Sequence, residues 1–154
     1  MSKITIIGIE LAKNVFHLHA VDSTGRQVKV IKLSRLKLTE YLHRSEPTTV
    51  AMEACASAHH WGRLCQLLGH EVHLISPQFV KSNKNNRNDA RAICEAAQRP
   101  GMHFVPVKTV GQQAVLSLHR VRRRFSIHSD LFLSSFLVFL NLLISTMTAI
   151  WIPL

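Results

Sequence analysis

The first third of the chain lays down three short β-branched runs separated by turn chemistry, and a chain that opens this way is committed to an antiparallel meander. Lys3–Ile9 is rich in isoleucine, as a buried central strand should be. Val15–Val21 alternates, with Val15, His17, His19 and Val21 on one face and Phe16, Leu18 and Ala20 on the other. Asp22-Ser23-Thr24-Gly25 is a turn sequence, after which Gln27–Leu33 alternates again through Val28, Val30 and Leu33.

The pattern then changes period. Leu36 to His43 has helical spacing, Pro47 breaks it, and Thr49–Met52 is a short apolar strand ending at Glu53. Ser57 or a neighbour is placed to cap a helix running to Leu68, with Trp61, Leu64, Leu67 and Leu68 on one stripe and Gly69 at its end. Glu71–Ile75 reads as a fifth strand, Lys81–Asn88 as a polar loop, and Ala90–Gln98 as a helix halted by Pro100-Gly101. A short strand at His103–Val105 and a basic helix from Gln112 to about Arg124 complete the order. A meander followed by alternating helices and strands predicts an α/β domain with a mixed sheet, resembling the RNase H-like fold.

Charge divides the chain unevenly. Its 154 residues hold 19 Lys and Arg against nine acids, a formal charge of +10 that favours polyanionic partners such as nucleic acid or anionic lipid. Every basic residue lies at or before Arg124, whereas no residue from Leu131 to Leu154 carries a formal charge. As a helix, that stretch would reach about 36 Å, enough to cross a bilayer core. Arg120, Arg122, Arg123 and Arg124 just before it would hold the preceding part in the cytoplasm, with the tail in the inner membrane. The alternative is an out-of-frame extension, since composition changes abruptly after Phe125. The expected division is therefore a domain over 1–108, a basic helix over 109–125, and an apolar tail over 126–154. Three cysteines without CxxC spacing argue against a secreted disulfide framework, and Met1 to Ile9 is too short an apolar run for a signal peptide. A cytoplasmic location is the default.

Three of the nine acids fall at element boundaries: Glu10 closing the first strand, Glu53 closing the fourth, and Asp89 opening the late helix. Strand ends and helix starts hold carboxylates rigidly, as a pair of divalent ions about 3.5–4 Å apart requires for phosphodiester chemistry. Acids are also ordinary surface residues and caps.

Five phrases add specificity: GIELAKNVFHLHAVDSTG (Gly8–Gly25), MEACASAHHWGR (Met52–Arg63), LGHEVHLISPQFVK (Leu68–Lys81), NDARAICEAAQRPGMHFVPVK (Asn88–Lys108) and QQAVLSLHR (Gln112–Arg120). Together they resemble the amino-terminal domain of insertion-sequence transposases of the IS-one-ten family, in its IS-eleven-eleven branch, from Met1 to about Arg120. The resemblance implies a RuvC-like DEDD domain followed by a coiled linker and a second domain with an essential serine. It also implies magnesium, DNA at the element ends and target as substrate, a structured guide RNA, and action as a homo-oligomer.

Carried over by position, the four metal-binding residues of the family fall on Glu10, Glu53, Asn86 and Asp89, of which Glu10, Glu53 and Asp89 are the candidate catalytic acids. Two departures stand out. Glu10 adds a methylene to a ligand that must meet near-octahedral magnesium at about 2.1 Å, and Asn86 keeps a carbonyl oxygen but gives up a negative charge. No residue here takes the place of the family's serine. The resemblance with these departures implies a truncated transposase whose cleavage site is impaired; the alternatives are a non-catalytic nucleic-acid-binding module and a protein anchored in a membrane by Leu131–Leu154.

Lys13, Lys81, Lys84, Arg87 and Arg91 lie around the acids in sequence and are the expected phosphate contacts, although exposed cations are commonly just solvated. Cys55, His59 and His60 lack the spacing of a zinc site and are expected to pack or cap the second helix. His17 and His19 read as partly buried sheet residues, Trp61 as core, and Cys65 and Cys94 as small buried hydrophobes.

Overall fold

The computed structural model describes residues 3–80 and 86–125, with backbone alone at 86–88, and Val138 further on. The chain divides into two compact units, Met1–Thr109 and Val110–Leu154.

The first unit is α/β. The meander forms as β1 (Ile6–Leu11), β2 (Val15–Val21) and β3 (Gln27–Ser34), antiparallel throughout, with Ile6 opposite Val21 and Leu11 opposite Phe16. The β2–β3 turn is built by Asp22, whose Oδ1 accepts bonds from the Thr24 amide (2.9 Å), the Thr24 hydroxyl (2.7 Å) and the Arg26 amide (3.0 Å). Gly25 supplies the left-handed backbone at φ +77° that completes it. After α1 (Arg35–Arg44), β4 (Thr49–Glu53) joins β1 in parallel, and after α2 (Ala58–Leu67), β5 (Glu71–Ile75) joins β4 in parallel. The strand order is β3-β2-β1-β4-β5. A 3-10 turn at Pro77–Phe79 precedes α3 (Asn86–Ala97).

Register decides what each face buries. Ile7, Ile9, Phe16, Leu18, Val50, Met52 and Leu74 point to one side, where Leu38 and Leu42 of α1 and Ala58, Trp61 and Cys65 of α2 cover them. Trp61 meets Phe16 edge to face at 5.1 Å, and the Arg35 guanidinium lies 5.5 Å from the Trp61 ring. The opposite face carries Ala51 and Ile75, packed against Ala92, Ile93 and Ala96 of α3. Sheet and helices thus form three layers.

Several sequence expectations are corrected. Of the expected stripe on the second helix, Trp61 is buried and Leu64 and Leu68 pack against the core, but Leu67 is 83% exposed; Ala58, Gly62 and Cys65 complete the inward face instead. Ser57 stands at the helix start in α-helical backbone and makes no side-chain cap bond; its hydroxyl lies 3.2 Å from Cys55 Sγ. The expected strand at His103–Val105 is one bridge, Leu74 to Val105, with the Val105 amide donating to Leu74 at 2.7 Å. The late helix begins at Asn86, four residues before the expected Ala90, so Asp89 lies inside its first turn.

In the second unit, residues 110–125 are helical and carry Arg120, Arg122, Arg123 and Arg124. The apolar stretch 131–154, expected to form a helix, lies outside the described residues apart from Val138. Among the described residues, no helix is long and apolar enough to cross a membrane.

Candidate functional site

The site starts with a glycine. Gly8, in the middle of β1, lets α3 lie against the sheet: a Cβ there would stand 2.5 Å from the Ala90 carbonyl oxygen and 2.7 Å from Cys94 Sγ. The Gly8 amide donates to Cys94 Sγ at 3.1 Å, and the Cys94 thiol donates to the His19 carbonyl at 3.0 Å. One buried sulfur therefore ties α3 to both β1 and β2. Burial pushes that thiol up to about 12, with Glu95 adding to the rise and the Gly8 amide opposing it.

From this contact, both elements run toward the same rim. Glu10 is two residues beyond Gly8, about 7 Å along the strand on the same face. Asp89 is five residues back from Cys94, about 7.5 Å along the helix. Glu53 enters from the neighbouring strand: β1 and β4 pair through Ile9 and Met52, so Glu10 and Glu53 are the next residues along. Ala51, two residues before Glu53, packs in the α3 cluster and fixes the face to which Glu53 belongs.

The electrostatics agree with this construction. The Glu10 carboxyl is held above its usual value of 4.5, first by burial, then by the charge of Glu53, then by that of Asp89. All three acids are half-buried. Asp89 also sits in the first turn of α3, where the helix dipole favours a negative charge. Among the described residues, no group of three or more His, Cys, Asp or Glu side chains is gathered closely enough to hold a metal ion. The acids feel one another across the rim without closing into a finished ligand shell. Their donors are all carboxylate oxygens, the hard ligands that magnesium takes.

Of the other expected residues, Lys13 is exposed in the bend after β1. Arg91 is exposed and paired with Glu95 at 2.8 Å, one turn further along α3, beside a polar recess of about 210 Å³ lined by His19, Gln27 and Gln98. Asn86 and Arg87 lie in α3, and Lys81 and Lys84 fall outside the described residues. Cys55 is exposed, His60 packs edge-on to Trp61 at 5.6 Å, and His59 is buried with its Nδ1 accepting the Lys108 amide at 3.2 Å, so these residues pack around α2. His19 and Cys94 are buried as expected.

Sequence reasoning passed over Gly8 and the bonding of Cys94. A glycine inside an isoleucine-rich strand marks close backbone approach, and that was the available signal. It also passed over the cross-strand row at the rim: Lys32 on β3 pairs with His17 on β2, and His17 with Glu10 on β1.

The frame is thus an α/β sheet domain in which Glu10 feels the charge of Glu53 and Asp89, beside a helix clamped to the sheet by a buried cysteine. Comparison with known proteins places it among relatives of one kind. The chain is 52% identical to the transposase for insertion sequence element IS1328 of Yersinia enterocolitica, the match covering 79% of this chain and 38% of that protein. It is 51% identical to a probable family 20 transposase of Pseudomonas aeruginosa (77% of this chain, 36% of that protein). It is 43% identical to the transposase for insertion sequence element IS1111A of Coxiella burnetii (80% and 35%). No protein-family model matches the chain. The chain is related by sequence to insertion-sequence transposases over about four fifths of its length, and spans little more than a third of the length of these relatives.

Proposed function

We propose that this chain is a DNA-handling domain of an insertion-sequence transposase, RNase H-like in fold, with its cleavage site on the rim formed by Glu10, Glu53 and Asp89. The observation that carries the reading is the raised Glu10 carboxyl, pushed up first by burial and then by the charges of Glu53 and Asp89, although 43 and 79 positions separate these from it in sequence. Three mutually repelling carboxylates on rigid elements make sense where a cation is to be held. The strand order β3-β2-β1-β4-β5, a meander with two parallel additions, supports the RNase H-like assignment.

Glu10, Glu53 and Asp89, with Asn86 one turn before Asp89, would hold magnesium. When bound, the ion supplies an activated water or hydroxyl and stabilises the leaving oxygen of a phosphodiester. The chain's own residues do the placing: Gly8 and Cys94 fix the separation of helix and strand, and the three carboxylates present negative charge at one edge. Glu10 and Asn86, where the resembled family has aspartates, leave the site weaker than a four-acid set, in keeping with the ungathered ligands. The element's guide RNA and further copies of the chain belong to the same proposal.

The test is magnesium- or manganese-dependent cleavage of element-end DNA by the full chain. The expected result is little cleavage by the unaltered chain, cleavage gained in the double variant Glu10→Asp, Asn86→Asp, and loss of that gain with Glu53→Gln or Asp89→Asn. Absence of cleavage in the double variant, or cleavage indifferent to Glu53→Gln, would overturn the catalytic reading. The ungathered ligand set also favours a second reading, binding without cleavage, for which salt-dependent DNA binding would persist in every one of these variants.

A further inference from the structure

We propose that Lys32 and His17 form a phosphate-binding flank beside the acid rim, holding the backbone of a DNA strand that crosses the open β3 edge of the sheet toward Glu10. The proposal rests on the nucleic-acid reading above and adds the side from which the strand approaches. The backbone places the residues. Lys32 pairs with His17 and His17 with Glu10, so the three form one row across β3, β2 and β1 on the α3 face. Strands lie about 4.8 Å apart, which sets Lys32 about 10 Å from Glu10 along the row, close enough for a lysine side chain to meet a neighbouring phosphate of a strand held at the acids.

Three observations single out this row. β3 is the edge of the sheet, and among the described residues no strand lies beyond Lys32. Lys32 is exposed and His17 half-exposed, and the charge of Lys32 acts on the His17 ring. Several other cations of the domain are engaged elsewhere, though Lys13 in the bend after β1 is exposed as Lys32 is: Arg91 pairs with Glu95, Arg63 donates to the Lys108 carbonyl, Arg99 donates to the Phe79 carbonyl at 3.0 Å, and Lys29 lies over the Tyr41 ring on the opposite face. Among the described residues Lys32 enters no ion pair, leaving its charge for a polyanion. A lysine ammonium neutralises phosphate and an imidazole N–H donates to a phosphate oxygen; both position a backbone without reading sequence.

The experiment measures binding of a fluorescein-labelled DNA duplex to the full chain across a salt series. Lys32→Ala is expected to lower the salt slope by about one and Lys32→Arg to restore it. His17→Ala is expected to weaken binding severalfold at fixed salt, and Lys29→Ala to change neither quantity. An unaltered thermal midpoint in Lys32→Ala excludes misfolding. If the unaltered chain binds duplex and Lys32→Ala keeps the full slope, the flank is wrong while the nucleic-acid reading stands. If Lys29→Ala lowers the slope as much as Lys32→Ala, the attraction is diffuse and the flank is again wrong. If the unaltered chain binds no duplex at low salt, the nucleic-acid reading fails and the flank with it.

Discussion

The Gly8 amide donates to Cys94 Sγ at 3.1 Å across 86 residues of sequence, and this bond fixes where α3 lies on the sheet. A methyl group at position 8 would meet backbone, the Ala90 carbonyl at 2.5 Å, which cannot move aside as a flexible side chain can. Gly8→Ala is therefore expected to destabilise the domain by about 1–3 kcal/mol, as overpacking does. A urea midpoint within error of the unaltered chain would contradict the close approach.

Cysteine accessibility gives a second check on the same contact. Cys65 and Cys94 are buried, with thiols pushed up to about 12 by burial, whereas Cys55 is exposed. A thiolate-directed alkylating reagent at neutral pH should modify Cys55 in the folded chain, with Cys65 and Cys94 following only in denaturant. Rapid labelling of Cys94 under native conditions would mean that α3 does not sit on β1 as described.

Glu10 makes the stability of the domain depend on pH in an unusual direction. Because its carboxyl is held above the ordinary value of 4.5 in the folded state, the folded chain binds that proton more tightly than the unfolded chain. The resulting stabilisation is fully present below the ordinary carboxylate range and is lost as pH rises through the raised value. Glu10→Gln removes this penalty. It should raise the urea midpoint at pH near 7 and lose its advantage as pH falls below the carboxylate range. An effect of equal size at all pH values would show that the substitution acts through packing instead.

His70 pins the start of β4 to the end of α1. Its Nδ1 accepts the Thr48 amide at 3.2 Å and its Nε2 bonds the Leu42 carbonyl at 3.0 Å, with the ring buried. The pairing requires the neutral ring with the proton on Nε2. His70→Phe fills the space but leaves the Thr48 amide without this acceptor and the Leu42 carbonyl with the Ser45 amide alone, at an expected cost of about 1–3 kcal/mol. A chemical-denaturation midpoint unchanged in His70→Phe would show that the two bonds contribute nothing.

The sequence made the meander legible because β1 is an isoleucine-rich run, a period of two persists through β2 and β3, and Asp22 and Gly25 are turn chemistry in the places where the turn needs them. Glu10, Glu53 and Asp89 could be picked out as boundary acids for the same reason. The inward face of α2 was hidden, since Ala58, Gly62 and Cys65 are small and the larger Leu67 faces outward. The start of α3 was hidden by its polar first turn, which reads as loop because it is solvated. The Gly8–Cys94–His19 contact and the Lys32–His17–Glu10 row depend on pairings between distant segments, which local patterns do not encode.

Manganese binding followed by electron paramagnetic resonance tests the meeting of the three carboxylates most directly, using the full chain and its Glu10→Gln, Glu53→Gln and Asp89→Asn variants. If the acids share one rim, each substitution alone removes most of the bound manganese, because each takes an oxygen ligand from the same site. Manganese bound equally well by all four proteins, or lost in only one variant, would mean that these side chains do not act together.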